Sequence, residues 1–455
     1  MARPQKNLKI DQLIAVLRDS FQKVKDPRTG VTQIPLDDFL MSSYAVFSLK
    51  YPSLFRFEKE FYSGVDQNVR ALFDITHLPS DTHLRDVMDL VNPKHMRKIF
   101  TSLFAEIQKT KVLQNYEYIT IDGKTYYLVS LDGTGYFSSE KVYCDQCMRY
   151  HEDENDPKPL RFGHNVLAAS MVHPDQREVF SFCPEPIQIQ DGKTKNDCEI
   201  NAFKRFIVDF RREHSKLNVI FVLDALYACG PVIALLKEHK IPFIINVKYN
   251  KSLLMSQYKE EKGKGVVGSV VEEAEFGDKI VKKQELVHRY SNQLRLSQDM
   301  EAPPVNFIEL DETWTWKDKD GKDHRTKKTF TWITDIWINN ENVASLAKGG
   351  RARWKIENET FNTLKNQGYY LEHNYGHGQK NLSINMVNMM FTAFLIDQIQ
   401  QACCQKFRKA FEKHECRPSY FWNDVTTIVK GWIIGSWDDL FTIIIENRKM
   451  VFSTS

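Results

Sequence analysis

The sequence predicts an α/β fold in which a mixed β-sheet is flanked by helices. Three observations predict it. Apolar residues recur at helical spacing through roughly the first 110 residues, strand-like and helical runs alternate between Tyr116 and Lys248, and helical spacing returns at Arg353. The stretch from Tyr249 to Ala347 differs from both, because its short alternating runs, such as residues 330–338, are typical of strands. This stretch predicts a β-rich insertion.

Length and composition are those of a globular protein. With 455 residues and a hydrophobic fraction of 42%, the chain has enough apolar side chains for about three packed domains. No apolar run reaches the roughly 18 residues of a membrane span, and the first residues lack the apolar segment of a secretory signal. The eight cysteines are too sparse for a disulfide scaffold. We therefore expect a cytoplasmic protein with reduced thiols.

The net charge is only +3, so a nucleic-acid-binding surface would have to come from local basic clusters. Two such clusters are present. One comprises Lys6, Lys9, Arg18, Lys23, Lys25 and Arg28, and the other Lys348, Arg351, Arg353 and Lys355. Each cluster either contacts DNA or forms the solvated face of a helix.

The first predicted elements are helices. The apolar face of the first helix comprises Ile10, Leu13, Ile14, Leu17 and Phe21. A pair of helices follows on either side of Pro79, with Ser80 or Asp81 capping the second of them. Such a pair is compatible with a helix-turn-helix that reads DNA, although short helix pairs are also common as purely structural elements.

Strands then alternate with helices. A hairpin is predicted from residues 118–121 and 125–131, with Asp122-Gly123 as its tight turn. The elements that follow are strand 164–172, helix 198–213, strand 218–223, helix 230–240 and strand 243–248. After the insertion, residues 381–396 form a long apolar helix that is typical of a core.

Three acidic residues lie where a metal-dependent enzyme would need them. Asp132 ends the second strand of the hairpin, Asp224 ends strand 218–223, and Glu357 belongs to the helical segment that starts at Arg353. Ligands of open α/β sheets bind outside the carboxyl ends of the strands, so two of the three acids are placed for chemistry. Three carboxylates suit two Mg²⁺ ions, which leave positions for a phosphate and an attacking water.

Two other acids are alternatives to members of this set. Asp122 is the alternative to Asp132, although its place in a tight turn already explains it. Glu359 is the alternative to Glu357, and the two would face nearly opposite sides of a helix, so only one of them can point at a shared site.

At these motifs the chain resembles a known family. The segments LDGTGYFSS, DGKTKNDCEINAFKR, LDALYA and RWKIENETFNTLKNQG look like the DDE transposases of bacterial insertion sequences. That family has an RNase H-like catalytic core with a β-rich domain inserted before the catalytic Glu. The resemblance covers roughly residues 80–400 and implies that Asp132, Asp224 and Glu357 are the catalytic, metal-binding triad. The gaps of 92 and 133 residues between successive acids agree with it, since the second gap is long enough for an inserted domain.

The resemblance also implies DNA contacts around the last acid. Related enzymes carry a Tyr, Arg, Glu, Lys signature, in which the two basic residues suit phosphate binding. Arg353 occupies the Arg position, but Gly350 stands at the Tyr position and Leu364 at the Lys position. Lys365 follows one residue later, a shift of about 100° that a local irregularity of the helix would absorb. Together with Arg351 and Lys355, these basic residues are the predicted phosphate contacts.

Another candidate metal site is the C-x2-C pair of Cys144 and Cys147. His151 and His164 lie downstream, a spacing that is compatible with a structural zinc site. Two ordinary buried thiols are the alternative, because no second pair of cysteines follows at the usual spacing.

Aromatic and histidine side chains are further candidates for DNA contact. The insertion contains four tryptophans that would either stack on an extruded base or pack as cross-strand pairs, namely Trp314, Trp316, Trp332 and Trp337. His373 and His377 lie in a glycine-containing loop, where they either contact DNA or turn the chain. An acidic patch before helix 198–213 is explained by capping and by the helix dipole; it comprises Asp191, Asp197 and Glu199.

The sequence therefore predicts a transposase that binds the terminal inverted repeats of its own element and performs strand cleavage and strand transfer. Its cofactor would be two Mg²⁺ ions, with Mn²⁺ as a substitute, and its partners double-stranded DNA and, by resemblance, a second copy of the chain. A catalytically inactive DNA-binding regulator and a stand-alone RNase H-like nuclease are the alternatives. The predicted domains are a helical N-terminal DNA-binding region (1–112), the catalytic core in two parts (113–249 and 348–400), the β-rich insertion (250–347) and a helical C-terminal region (401–455).

Overall fold

Helices form the first part of the chain, as the apolar spacing predicts. The computed structural model describes residues 7–61, 66–151, 158–189, 197–249, 251–277, 281–298 and 303–446. The N-terminal helices are α1 (Ile10–Gln22), α2 (Leu36–Ser48), α3 (Leu54–Phe61), α4 (Gln67–Phe73), α5 (Asp81–Leu90) and α6 (Arg97–Lys109). All five apolar residues predicted for the first helix are buried in α1. Ser80 caps α5, because its side chain accepts a hydrogen bond from the backbone N–H of His83.

A mixed sheet of twelve strands forms the centre of the molecule. The strands are β1 (Ile119–Ile121), β2 (Lys124–Ser139), β3 (Met148–Tyr150), β4 (Arg161–Val172), β5 (Phe180–Ser181), β6 (Glu185–Ile187), β7 (Val219–Leu223), β8 (Phe243–Asn246), β9 (Gly268–Phe276), β10 (Lys282–Leu294), β11 (Val305–Lys317) and β12 (Asp323–Thr334). Their order is β3-β4-β2-β7-β8-β12-β11-β10-β9, with β1 paired to β2, and β5 and β6 paired to β4. The pairs β2–β7 and β7–β8 are parallel, whereas β4 and the strands after β8 are antiparallel to their neighbours.

The helices after β6 flank this sheet or form the C-terminal part of the chain. They are α7 (Glu199–Glu213), α8 (Gly230–Glu238), α9 (Ser252–Gly263), α10 (Val343–Arg351), a π-helix (Ile356–Phe361), α11 (Asn362–Asn366), α12 (Leu382–Cys403), α13 (Gln405–Glu412), α14 (Pro418–Gly431) and α15 (Trp437–Glu446). The strands and helices predicted between residues 164 and 248 are thus all present, with ends that differ by a few residues.

The predicted hairpin is confirmed, but one of its features is corrected. Asp122 and Gly123 join β1 to β2 with φ values of +49° and +73°, and positive φ at both positions is what a tight hairpin turn requires. The prediction that Asp132 ends the second strand is wrong. The pairing of β2 with β4 continues as far as Ser139, so Asp132 lies in mid-strand.

The strands of the insertion extend the same sheet. β9 to β12 form an antiparallel meander, and β12 pairs with β8 through Trp332, Ile333 and Thr334. β8 is the last of the parallel strands, and its outer edge is covered by this pairing rather than left open.

α12 is the central helix of the core. By length and composition it could cross a membrane, but 94% of its most apolar window is buried inside the protein. It packs against α2 and α5 within one continuous hydrophobic cluster. The prediction of a core helix at residues 381–396 is therefore confirmed.

Candidate active site

Asp132 lies on β2, and Asp224 directly follows the neighbouring parallel strand β7. β2 pairs with β7 from Tyr127 opposite Val219 to Ser130 opposite Val222, and each Asp follows this last pair by two residues. Adjacent strands are about 4.8 Å apart, and residues in register project to the same face. The register therefore brings the two carboxylates together, beyond the carboxyl end of buried strand β7.

Arg353 connects Asp132 to Glu357. Its Nη1 lies 3.3 Å from Oδ2 of Asp132, and its Nη2 lies 2.8 Å from Oε1 of Glu357. The hydroxyl of Ser130 donates a hydrogen bond of 3.0 Å to the backbone carbonyl of Arg353, which holds this turn of helix on β2. The helical acid is thus fixed beside the strand that carries Asp132.

The electrostatics of Asp132 are strongly perturbed. Burial is the main cause, and it raises the pKa of Asp132 to about 7; Arg353 opposes the rise, while the charges of Glu199 and Asp224 add to it. The guanidinium of Arg353 pairs with Asp132 and Glu357, and the carboxylates of Glu199 and Asp224 add further negative charge near Asp132, so negative charge is in excess. A divalent cation among these acids would relieve the repulsion, and carboxylate oxygens are the ligands that Mg²⁺ prefers. The residues present therefore fit a metal site.

Glu199 belongs to this cluster, which the sequence did not predict. Glu199 lies in the first turn of α7, as the helix-dipole interpretation predicts, but no side chain caps that helix. Oε1 of Glu199 instead accepts a hydrogen bond of 2.6 Å from the hydroxyl of Tyr227. Its Oε2 lies 2.2 Å from the position that a Cβ on Gly133 would occupy. Burial raises the pKa of Glu199, and the charge of Asp224 adds to this effect. A glycine directly after Asp132 is the sequence signal for such a close approach.

Glu357 lies in the π-helix Ile356–Phe361, in which the backbone N–H of Asn362 bonds to the carbonyl of Glu357. A π-helix fits one more residue into a turn than an α-helix does, and such segments are frequent at functional sites. Lys365 stands one residue later than the family spacing predicts. The extra residue in the π-helix is the kind of irregularity that this shift requires. Nζ of Lys365 lies 2.7 Å from Oε1 of Glu372.

The two alternative acids lie elsewhere. Asp122 occupies the hairpin turn. Glu359 lines a separate cleft together with Arg177, Gln367 and Gln398. Neither is among the groups that perturb Asp132 most strongly.

Gly350, at the position where the family signature has Tyr, lies against an indole. A Cβ on Gly350 would lie 2.5 Å from Nε1 of Trp332, and the Trp332 side chain is buried. The ring of Trp332 therefore occupies the space beside this position, and a tyrosine would not fit without rearrangement of the helix or the indole.

The predicted phosphate contacts beside Glu357 have partners within the chain. Nη1 of Arg351 lies 3.2 Å from Oε1 of Glu312, and Nζ of Lys355 donates a hydrogen bond of 2.6 Å to the carbonyl of Gln176. To bind DNA, each of these side chains would have to exchange its partner for a phosphate.

The N-terminal basic cluster is largely neutralised by nearby acids. The ion pairs are Lys9 with Asp438, Arg18 with Asp37 and Asp38, Lys23 with Asp19, and Arg28 with Asp26. Lys6 lies outside the described residues. Acids also dominate α5, which carries Asp81, Asp86 and Asp89, so the second helix of the predicted pair offers little positive charge to phosphates.

Three of the insertion tryptophans contact neighbouring aromatic rings, and one of them, Trp332, stacks on Phe330 of its own strand at 6.0 Å. The ring centroids of Trp314 and Phe276 are 5.4 Å apart, and Trp316 stacks on His324 at 5.2 Å. These two contacts are the cross-strand packing that the sequence allowed as an alternative to base stacking. His373 is exposed in the loop after α11.

The side chains of the C-x2-C pair lie beside those of two histidines. One ligand atom from each of Cys144, Cys147, His164 and His377 lies within 4.8 Å of the others. His151, which the spacing had suggested, is not a member of this group. In the acidic patch, Asp197 pairs with Arg205 at 2.8 Å, and Asp191 lies outside the described residues.

Comparison with known proteins identifies one family domain in the chain. Residues 184–395 match the family model described as transposase DDE domain. The match includes Asp224, Glu357 and the insertion between them, whereas Asp132 precedes it. No match to a curated protein was found. The large mixed sheet flanked by helices is consistent with an RNase H-like transposase fold. The chain therefore contains a transposase DDE domain, which spans residues 184–395.

Proposed function

We propose that this chain binds the terminal inverted repeats of its own element and catalyses DNA strand cleavage and strand transfer. The observation that supports the proposal is the arrangement of three acids in a chain with a transposase DDE domain. Arg353 pairs with both Asp132 and Glu357, and Asp224 follows β7, the strand that pairs with the strand of Asp132. A cluster of partly buried carboxylates destabilises the metal-free fold, so a function must account for it.

Asp132, Asp224 and Glu357 are the proposed ligands of two Mg²⁺ ions, for which Mn²⁺ would substitute. Held by these residues, the ions would supply activation of a water or a 3′ hydroxyl for in-line attack on a phosphodiester, and stabilisation of the leaving oxygen. Asp132 must be ionised to act as a ligand, and its pKa of about 7 means that metal and proton compete for it near neutral pH. Arg353 holds Asp132 and Glu357 in place, and it is positioned to bind a phosphate once their charges are neutralised.

We further propose that DNA runs past the basic side chains around Glu357. Arg351, Lys355 and Lys365 are the proposed phosphate contacts, with Trp314, Trp316 and His373 at the periphery. Because basic side chains that bind phosphates release counterions from the DNA, binding should weaken as salt increases. A homodimer would hold two DNA ends. The mass of the complex with end DNA directly measures how many chains and DNA ends it contains.

The decisive experiment is cleavage of labelled DNA that carries the ends of the element, in Mg²⁺ or Mn²⁺. We expect the native chain to nick at the repeat boundary. Asp132→Asn, Asp224→Asn and Glu357→Gln should each lower the cleavage rate by about 10³-fold or more while leaving DNA binding intact, because each removes a metal ligand but not a phosphate contact.

Glu359→Gln and Asp122→Asn are the matched controls, since each makes the same chemical change outside the cluster. Both should cleave at nearly the native rate. Loss of activity in the controls, or full activity in all three variants of the cluster, would overturn the site. Binding of the ends without any cutting would favour an inert regulator, and cutting without joined products would favour a nuclease.

A further inference from the structure

A second group of metal-binding side chains lies apart from the acids. Nε2 of His164 lies 3.5 Å from Sγ of Cys144 and 3.3 Å from Sγ of Cys147. Nε2 of His377 lies 3.4 Å from Sγ of Cys147, and the two sulfurs are 3.9 Å apart. Two thiol sulfurs and two imidazole nitrogens, which are soft or borderline donors, thus surround one point.

These separations fit a tetrahedral ion. Zinc binds sulfur at about 2.3 Å and nitrogen at about 2.0–2.1 Å, so tetrahedral angles place two sulfurs about 3.8 Å apart, and sulfur and nitrogen about 3.6 Å apart. The observed distances of 3.3 to 3.9 Å surround these values. A disulfide would require a sulfur separation of about 2.05 Å, and both cysteines are free.

The first three donors come from adjoining segments of the sheet. Cys144 and Cys147 lie in the turn before β3, where the backbone N–H of Cys147 donates to the carbonyl of Cys144 at 3.1 Å. His164 lies on β4, directly opposite Phe137 of β2. Cys147 and His164 are buried, with 1% and 2% of their surfaces exposed.

The fourth donor arrives from a distant part of the chain. His377 is 230 residues beyond Cys147, in the loop between α11 and α12. It stands between Gly376 and Gly378, whose φ values of +136° and +68° favour glycine. A Cβ on Gly378 would lie 2.3 Å from Oδ1 of Asp89, so the loop is packed closely against the end of α5. The position of His377 is therefore fixed by its own loop.

The surroundings indicate a structural site rather than a catalytic one. The ring of Phe137 lies 4.3 Å from that of His377, and Tyr136 stacks on His164 at 5.8 Å. Four protein donors complete a tetrahedral shell and leave no position for water or substrate, and mixed thiolate and imidazole ligands select zinc over Mg²⁺.

We propose that Cys144, Cys147, His164 and His377 bind one structural Zn²⁺ ion. The ion links the turn before β3 and strand β4, which pairs with the strand of Asp132, to the loop that follows the helix of Glu357, and so it fixes the two halves of the acidic site relative to each other. This inference does not depend on DNA chemistry, and it holds for an active enzyme or an inert one.

The test is the metal content of the full-length chain purified in reducing buffer with zinc supplied. We expect one zinc per chain in the native protein. Cys147→Ser and His377→Asn should each reduce this to a small fraction, because three remaining ligands hold zinc much more weakly. His373→Asn, in the same loop, and Cys198→Ser, at an exposed cysteine, are the matched controls and should keep the full complement.

A second measurement covers the case in which a variant fails to fold. Zinc is removed from the native chain with a chelator and replaced by Co²⁺, which gives visible bands in a tetrahedral thiolate site and only weak ones at carboxylates. The melting temperature should fall on removal and recover on addition of zinc. A native chain without zinc or thiolate-bound cobalt would overturn the proposal, and so would a His377→Asn variant that retains zinc.

Discussion

At the scale of single residues, Gly133 and Glu199 determine how much charge surrounds Asp132. The absence of a side chain on Gly133 lets the Glu199 carboxylate approach the backbone next to Asp132. Tyr227 holds that carboxylate by a hydrogen bond. Glu199 therefore adds a negative charge to the site, whether or not it touches a metal ion, and this charge favours cations.

Glu199→Gln should weaken binding of Mg²⁺ or Mn²⁺ by about tenfold, the effect expected from one nearby charge that shifts a pKa by about one unit. The glutamine keeps an acceptor for Tyr227, so packing is preserved. The pKa of Asp132 should fall at the same time, because a like charge has been removed. The measurement is a titration of the melting temperature with Mn²⁺ at several pH values.

Tyr227→Phe is the control, since it removes the hydrogen bond to Glu199 but no charge. Its metal affinity should change much less than that of Glu199→Gln. Equal metal affinity in Glu199→Gln and in the native chain would show that Glu199 only packs against Gly133.

The acids that sequence reasoning identified are those with a distinctive local context. Asp224 follows a short buried strand, and Glu357 lies in a helical segment beside Arg353, so the neighbours of each residue indicated its role. Glu199 has no such context. It begins an amphipathic helix, where an acid is explained by the helix dipole, and only the tertiary fold places it beside Asp132.

At the scale of elements, the sequence predicted the order of strands and helices but not the details that depend on pairing. β2 extends beyond Asp132 because β4 pairs with it as far as Ser139, and pairing partners are not visible in a local pattern. The π-helix at Ile356–Phe361 was anticipated only as an irregularity between Glu357 and Lys365. The junction between β12 and β8 was not predicted at all, because it joins the insertion to the core.

That junction contains a buried acid whose titration should control stability. Asp335 follows β12 and accepts a hydrogen bond of 3.1 Å from the backbone N–H of Phe243, at the start of β8. Burial is the main reason that the pKa of Asp335 rises to about 6. A raised pKa in the folded state means that stability is greatest below the ordinary pKa of the carboxyl group and is lost as pH rises through about 6.

Asp335→Asn should therefore stabilise the protein by about 1–3 kcal/mol near pH 8 and have little effect near pH 4. The amide oxygen can still accept the hydrogen bond from Phe243, and only the buried charge is removed. Urea unfolding of both proteins at the two pH values measures the difference. An equal change in the free energy of unfolding at both pH values would show that Asp335→Asn acts through packing rather than through titration of the carboxyl group.

At the scale of the whole molecule, one buried ion pair joins parts of the chain that the sequence gives no reason to connect. Lys50, just after α2, donates a hydrogen bond of 2.6 Å to Asp397 of α12, which is 347 residues away. The ammonium also lies 4.0 Å from the ring centroid of Tyr369 and 3.9 Å from that of Trp422 in α14. Tyr369 donates a hydrogen bond to the same carboxylate. The ammonium of Lys50 therefore contacts three parts of the chain, namely the core helix α12, the loop after the Glu357 helix and the C-terminal helix α14.

Contacts of this range could not be predicted from one sequence. The pattern of α12 indicates a buried helix, and nothing in it specifies α2 as its partner. The same is true of His377, which joins Cys147 only in the folded chain.

Lys50→Met should destabilise the protein by about 3–5 kcal/mol, because it leaves the carboxylate of Asp397 buried without its counter-charge. The double variant Lys50→Met with Asp397→Leu should recover part of that loss, since a buried pair replaced by apolar groups of similar size is often tolerated. Lys23→Met is the matched control. It breaks an exposed pair with Asp19, whose side chains are 68% and 64% exposed, and should change stability by less than about 0.5 kcal/mol. If the double variant is no more stable than the single one, the loss of stability comes from the lost contacts of Lys50 with the rings of Tyr369 and Trp422 rather than from the unpaired carboxylate. The free energies of unfolding of all four proteins, measured in urea, distinguish these two explanations for the stability that Lys50 contributes.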